Sequence, residues 1–313
     1  MPDIEKYIRA FRKLHVDRSK GFPAPHKAIL LLAVLEGVTA GEIVQNRIYI
    51  TPDLVARFKG YFTSLVDTPV FVPNFALPFY HMSREQFWFL RTYPGKEIVL
   101  TSSLSIKSFK QLKDCLEYAF LDEALFILMT NPLTNRQLRE VLLDTWFAGK
   151  GSLLLTDKLS RAITGQILHD SPAAYRGHLD LKDEEDLYIR GGIFKKLVPK
   201  LYQFTCCISG LQIIAESNIQ MIDACHIRPF SETHDDTISK GISLCPTLHR
   251  AFDRGLIGID DKYEVIVGRN FKESAGNAYS ISQFKGMQIL LPGENSYCPS
   301  LENLSWHRKK WGL

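Results

Sequence analysis

"DACHIRPFSETHDDTISKGISLCPTLHRAFDRG", residues 223–255, decides how this chain is read. It holds three histidines, five acidic residues and two cysteines. Its front reads as a short strand ending at His226, and "SLCPTLHRAFD" as a second strand leading into a helix. His249 and Asp253 are four apart, so on that helix they share one face. A histidine and a carboxylate at this spacing can hold one divalent ion. His226, delivered by the strand, is then a candidate general base for activating water beside a phosphodiester. Each piece alone has a plainer reading. His226 could be a hydrogen-bonded loop residue, and His249 with Asp253 a surface pair of about 0.2–0.5 kcal/mol. Asp235 and Asp236 read as a solvated loop.

The rest of the chain sets bounds. At 313 residues, two domains are the natural expectation. With 45% hydrophobic and 23% charged residues, the composition is globular. The longest apolar run, "AILLLAVL" at 28–35, is far too short to span a bilayer and reads as a buried helix. The start "MPDIEKYIRAFRKL" has no apolar signal core, which predicts a cytoplasmic protein with no membrane partner. Six cysteines make no dense disulfide framework, and no CxxC pair is present, which argues against structural zinc. Net charge is +4. Residues 1–27 carry seven Lys/Arg against three Asp/Glu, which suggests a polyanion contact there, although a solvated helix face gives the same excess.

Along the chain, Ile4, Tyr7, Ile8, Phe11 and Leu14 fall at helical spacing with a basic outer face. "PHKAILLLAVLEGV" predicts a buried helix with Pro25 in its first turn. "NRIYIT" predicts a short strand, and Thr51 caps a further helix. "QFWFLR" and "EIVL" read as strands, and "SIKSFKQLKDCLEYAFLDEALFILM" and "NRQLREVLLDTWF" as helices. Residues 151–193 read as a helical or flexible linker, followed from 194 to 313 by a domain of short strands, a helix near 246–253 and the strand "YEVIVG". The expected fold class is α+β: a mainly helical domain at 1–150 with a small sheet, the linker, and a C-terminal ββα-metal domain. No internal repeat is present.

Taken together, "ACHIRP" and "KGISLCPTLHRAFDRGLI" resemble the HNH nuclease family, whose motif is strand–loop–strand–helix around one metal. The resemblance covers roughly 200–270. It implies that His226 is the general base and that His249 and Asp253 are metal ligands. Cys225, just before the first histidine, falls where the family often places a further ligand, and Asp223 on the same strand face is a substitute candidate. The cofactor implied is one divalent ion, Mg²⁺ or Mn²⁺. Lys240 stands where the family has an asparagine that braces the loop. A lysine has donors but no acceptor, which predicts a looser loop or reduced activity. Arg228 or Arg250 is a candidate phosphate holder, and an ordinary surface residue is the plainer reading of either.

In the first half, "PAPHKAILLLAVLEGV", "GEIVQNRIYIT", "ALPFYHM" and "FWFL" resemble the domain ahead of HNH modules in modification-dependent, McrA-type restriction enzymes. That domain is similar to the sulfur-binding domain, which recognises phosphorothioate DNA. The resemblance implies an apolar pocket for sulfur around Leu77, Pro78, Phe79, Tyr80 and His81. His26 and Lys27, at a helix start, and Arg18 would hold the phosphate. The family usually has an aromatic residue before the proline and a small one three after it. Leu77 and His81 depart from that, which leaves readout of a modified base open.

The chain thus reads as a type IV, modification-dependent DNA endonuclease acting on double-stranded modified DNA, as a possible homodimer. The alternative is a DNA-binding reader with a catalytically silent HNH domain.

Overall fold

The computed structural model describes residues 3–96, 106, 108–147, 158–213, 221–269, 271–274, 277 and 279–313. They form two units, one of residues up to 161 together with 181–189, the other of 162–180 together with 190–313.

The first unit opens with α1, Ile4–Arg12, capped by the Asp3 carboxylate, which accepts from the Glu5 N–H at 3.0 Å. It buries Tyr7, Ile8 and Phe11 and turns its basic residues outward. Helix α2, His26–Thr39, has residues 27–35 buried in succession, because it is apolar all round and other elements cover every face. Pro25 lies just before it, and the Pro25 carbonyl accepts from the Ile29 N–H. Helix α3, Pro52–Leu65, starts on Thr51, whose hydroxyl accepts from the Leu54 N–H. The segment "ALPFYH" is itself a short helix, α4, Ala76–His81.

Strand β1, Trp88–Thr92, pairs antiparallel with β2, Leu116–Leu121. The single helix expected across "SIKSFKQLKDCLEYAFLDEALFILM" is instead α5, Phe109–Cys115, then β2, then α6, Glu123–Thr130. Cross-strand packing overrides the local helical period here: Phe89 stacks on its partner Phe120 at 5.2 Å. "NRIYIT" contributes only a bridge from Ile48 to Ala119. "EIVL" lies outside the described residues. Helix α7, Pro132–Phe147, packs on α1 and α2.

Residues 158–201 are largely helical: α8, Lys158–His169, α9, Pro172–Gly177, and α10, Glu184–Leu201. The second unit continues with the antiparallel hairpin of β3, Asp223–His226, and β4, Gly241–Leu244. Helix α11, Pro246–Asp253, follows with proline in its first turn. A second hairpin, β5, Ile257–Ile259, with β6, Val265–Val267, and the terminal helix α12, Leu301–Trp311, complete the unit. The described residues are therefore mixed helix with three small two-stranded sheets. No helix among them is long and apolar enough to cross a membrane.

Candidate functional site

The hairpin register places His226 opposite Gly241. A Cβ at 241 would sit 2.6 Å from the Phe194 ring and 2.7 Å from Val198, so α10 lies directly on the strand end. This close approach lets Phe194 stack on His226, with centroids 4.0 Å apart and planes 11° from parallel. His226 Nε2 lies 2.7 Å from Asp236 Oδ1. With Asp236 as a carboxylate, Nε2 carries the hydrogen and the Nδ1 lone pair is left to accept a proton. The Tyr175 hydroxyl donates to the other Asp236 oxygen at 3.4 Å, and burial holds its proton on.

Asp235 and Asp236 are not the solvated loop read from the sequence: they are 0% and 2% exposed. Their burial is compensated by specific donors. Asp235 Oδ1 accepts from the Thr237 N–H at 2.9 Å and the Thr237 hydroxyl at 2.7 Å. Its Oδ2 has no hydrogen-bond partner but faces Lys240 Nζ and an Arg176 nitrogen, each at 3.8 Å. Lys240 thus balances a buried charge, and its backbone closes the hairpin by accepting from the Ile227 N–H. Asp236 is a member of the candidate site that the sequence did not single out. Its only signal was an acidic pair four and five residues before Lys240, and nothing in that pattern distinguishes burial from solvation.

Strand alternation puts Asp223 and Cys225 on one face of β3. Helix α11 brings His249 and Asp253 to it. The ligand atoms of Cys225, His249 and Asp253 lie within 4.8 Å of one another. His249 Nδ1 is 3.0 Å from Asp223 Oδ2, and Nε2 is 3.4 Å from Asp253 Oδ2. When Nδ1–H donates to Asp223, Nε2 presents a bare lone pair to a second carboxylate. Two acceptors facing each other leave a gap suited to a cation, and the sulfur, nitrogen and oxygen donors fit a divalent metal. The Cys225 thiol is fully buried and 3.8 Å from Asp253 Oδ1; burial and then the Asp253 charge push its pKa well up.

Arg228 rests its guanidinium on Trp306 of α12 at 4.6 Å, whereas Arg250 is exposed on α11.

In the first unit, a cavity of about 460 Å³ is lined by His26, Lys27, Leu77, Pro78 and His81, which the sequence singled out, and by others including Phe71 and Arg84. Arg18, Phe79 and Tyr80 are not in its lining. Phe79 is wholly buried between Phe75 and Trp88, Tyr80 packs on His81, and Arg18 is exposed. His26 Nε2 donates to the Val72 carbonyl at 2.9 Å, and burial lowers its pKa, so the ring is neutral near pH 7. His81 is lowered by burial and by the Arg84 and Lys27 charges. Lys27 is buried and bound at 2.5 Å to Glu85, which also accepts from His15. The lining thus combines apolar Phe71, Leu77 and Pro78 with a neutral His26, the positive charges of Lys20 and Arg84 and the negative charge of Asp17.

Residues 206–260 match the family model of HNH endonucleases, so the second unit contains an HNH endonuclease domain. No curated protein matches the chain. Among solved structures, the chain is similar to a modification-dependent restriction endonuclease, TagI, at 22% identity and a TM-score of 0.29. The likeness covers 38% of this chain and 38% of that one, well under half of either.

Proposed function

We propose that the protein is a metal-dependent DNA endonuclease that cuts in response to a DNA modification. The observations that carry this are the His226–Asp236 pair and the cluster of Cys225, His249 and Asp253 donors, His226 and Cys225 being neighbours in β3 and the other two ligands coming from the helix after β4. A divalent ion held by Cys225, His249 and Asp253 would supply Lewis-acid stabilisation of the phosphate and the leaving oxygen. His226 Nδ1 takes the proton of a water as the water oxygen bonds to phosphorus and the phosphorus–oxygen bond to the leaving group breaks. Asp236 holds Nε2–H, fixing the tautomer, and Phe194 fixes the ring plane.

The cavity in the first unit is the proposed reader. Phosphorothioate sulfur is larger and less well hydrated than oxygen, so Phe71, Leu77 and Pro78 suit it, while Lys20 and Arg84 attract the phosphate. A cavity of about 460 Å³ also has room for a modified base.

The test is to incubate the protein and His226→Ala with matched plasmids, unmodified and phosphorothioate-modified, and a divalent ion. Cutting of only the modified plasmid by only the parent protein is expected. Equal cutting of both would keep the nuclease and discard sulfur readout. Binding of modified DNA by both proteins without any cutting would identify a reader with a silent nuclease domain, the reading that Lys240 favours.

A further inference from the structure

We propose that the Cys225, His249 and Asp253 cluster selects a thiophilic divalent cation of the Zn²⁺ or Co²⁺ class over Mg²⁺, with Asp223 orienting the imidazole that binds it. The proposal rests on the nuclease reading above and narrows the ion that reading needs. Mg²⁺ prefers oxygen donors in near-octahedral geometry at about 2.0–2.1 Å, which sets neighbouring donors about 2.9 Å apart. A tetrahedral ion bound at about 2.3 Å to sulfur and about 2.0–2.1 Å to nitrogen or oxygen spaces its donors by about 3.3–3.6 Å. The spacings found are 3.4 Å from His249 Nε2 to Asp253 Oδ2 and 3.8 Å from Cys225 Sγ to Asp253 Oδ1. The first falls in the wider range and the second, to the other Asp253 oxygen, is slightly longer; both exceed the octahedral spacing.

Donor chemistry points the same way. One sulfur and one imidazole nitrogen among three donors suit a borderline ion, whereas Mg²⁺ is held by carboxylates, carbonyls and water. Asp223 sits on the far nitrogen of His249 at 3.0 Å, the carboxylate–histidine arrangement that fixes the tautomer of a metal-binding ring. The cluster is closed by Cys225, which is wholly buried, and open at Asp253, whose side chain is 56% exposed. Three protein donors and an open side leave a position for water or a phosphate oxygen, as in catalytic rather than structural sites.

The experiment uses the full chain, freed of metal with a chelator and titrated with Co²⁺ while its absorption is recorded. The expected result is an intense thiolate-to-cobalt band in the near ultraviolet. Zn²⁺ should abolish it at stoichiometric amounts, and a large excess of Mg²⁺ should leave it intact. Cys225→Ser should lose the band and weaken Zn²⁺ binding by at least about 100-fold, since loss of an outer partner alone costs roughly 10–100-fold. Asp223→Asn should keep the band with about 10–100-fold weaker binding. If Cys225→Ser misfolds, Asp253→Ala at the exposed position serves instead, keeping the band while lowering Co²⁺ affinity. A band that persists in folded Cys225→Ser, displacement of Co²⁺ by Mg²⁺, or unchanged Co²⁺ affinity in Asp253→Ala would each overturn the proposal. Thiolate-dependent cobalt binding by a protein that cuts no DNA would keep it and end the nuclease reading. Cleavage with Mg²⁺ that is undiminished in Cys225→Ser would do the reverse.

Discussion

The His226 site and the cavity bounded by His26 and His81 both bury charged groups, but they hold them differently. In the unit with the HNH domain the candidate groups come from one short run of chain, and buried Asp236 is fastened by two side-chain partners, His226 and Tyr175. In the first unit the walls are gathered from residues between His15 and Arg84, and the buried cation Lys27 is spent on Glu85. The first arrangement holds one ring nitrogen of His226 on a carboxylate and leaves the other for the proposed proton transfer. The second neutralises its buried lysine and combines apolar wall residues with charges from Asp17, Lys20 and Arg84. A site that transforms its ligand and one that discriminates ligands are expected to differ in this way.

The largest expected effect tests the first half of that contrast. His226→Ala should lower the cleavage rate by about 10²–10⁴-fold with DNA affinity unchanged, measured by plasmid nicking and gel shift. Asp236→Asn should cost less than loss of the ring; an equal or greater loss would mean that Asp236 does more than orient it.

The second half is tested through stability. Lys27→Ala leaves Glu85 buried without its cation, which should cost about 3–5 kcal/mol in denaturant unfolding. The double variant Lys27→Met with Glu85→Leu should recover most of it. If Lys27→Ala instead lost DNA binding without loss of stability, the lysine would be a ligand-holding group, and the contrast would fail.

Glu185 provides a pH test in the first unit. It is buried, accepts from the Phe75 N–H at 2.8 Å, and burial pushes its pKa up to about 7. Between the ordinary value of 4.5 and about 7, the folded chain holds a proton that the unfolded chain releases. Stability from this group is therefore full below about 4.5 and is lost as pH rises through 7, by up to about 3 kcal/mol. Glu185→Gln should flatten that slope relative to the parent in melts across pH 4.5–8. An unchanged slope would place the proton elsewhere. The smallest effect is at the cavity rim, where Arg84→Gln should reduce the salt dependence of DNA binding by about one unit of slope, with the same loss for every sequence.

These differences also explain what the sequence could disclose. Helical spacing put His249 and Asp253 on one face in the sequence itself, whereas Cys225 was singled out by the family resemblance and strand alternation then placed Asp223 on its face. Asp236 was not legible, since an aspartate in a loop looks the same whether water or Tyr175 is its partner. Phe194 was hidden for another reason: its partner His226 is 32 positions away, and no local pattern records a stack. "LEYAFL" misled because a short apolar run fits a helix as well as a strand until its partner strand is known. The cavity was partly legible: Leu77, Pro78 and His26 stood out, but Phe71 and Arg84 join them only through the fold.

Gly241 has a consequence for mutational tolerance. Its φ of −116° is ordinary extended backbone that any residue can adopt, so the position looks permissive from conformation alone. The restriction is spatial, because one added methyl would strike Phe194 and Val198. A saturation map of this loop should therefore show a single column in which even alanine is rejected. Enlarging substitutions at Phe194 should deepen that rejection, and trimming Phe194 should relieve it in part, at the expense of the surface against which the His226 ring rests.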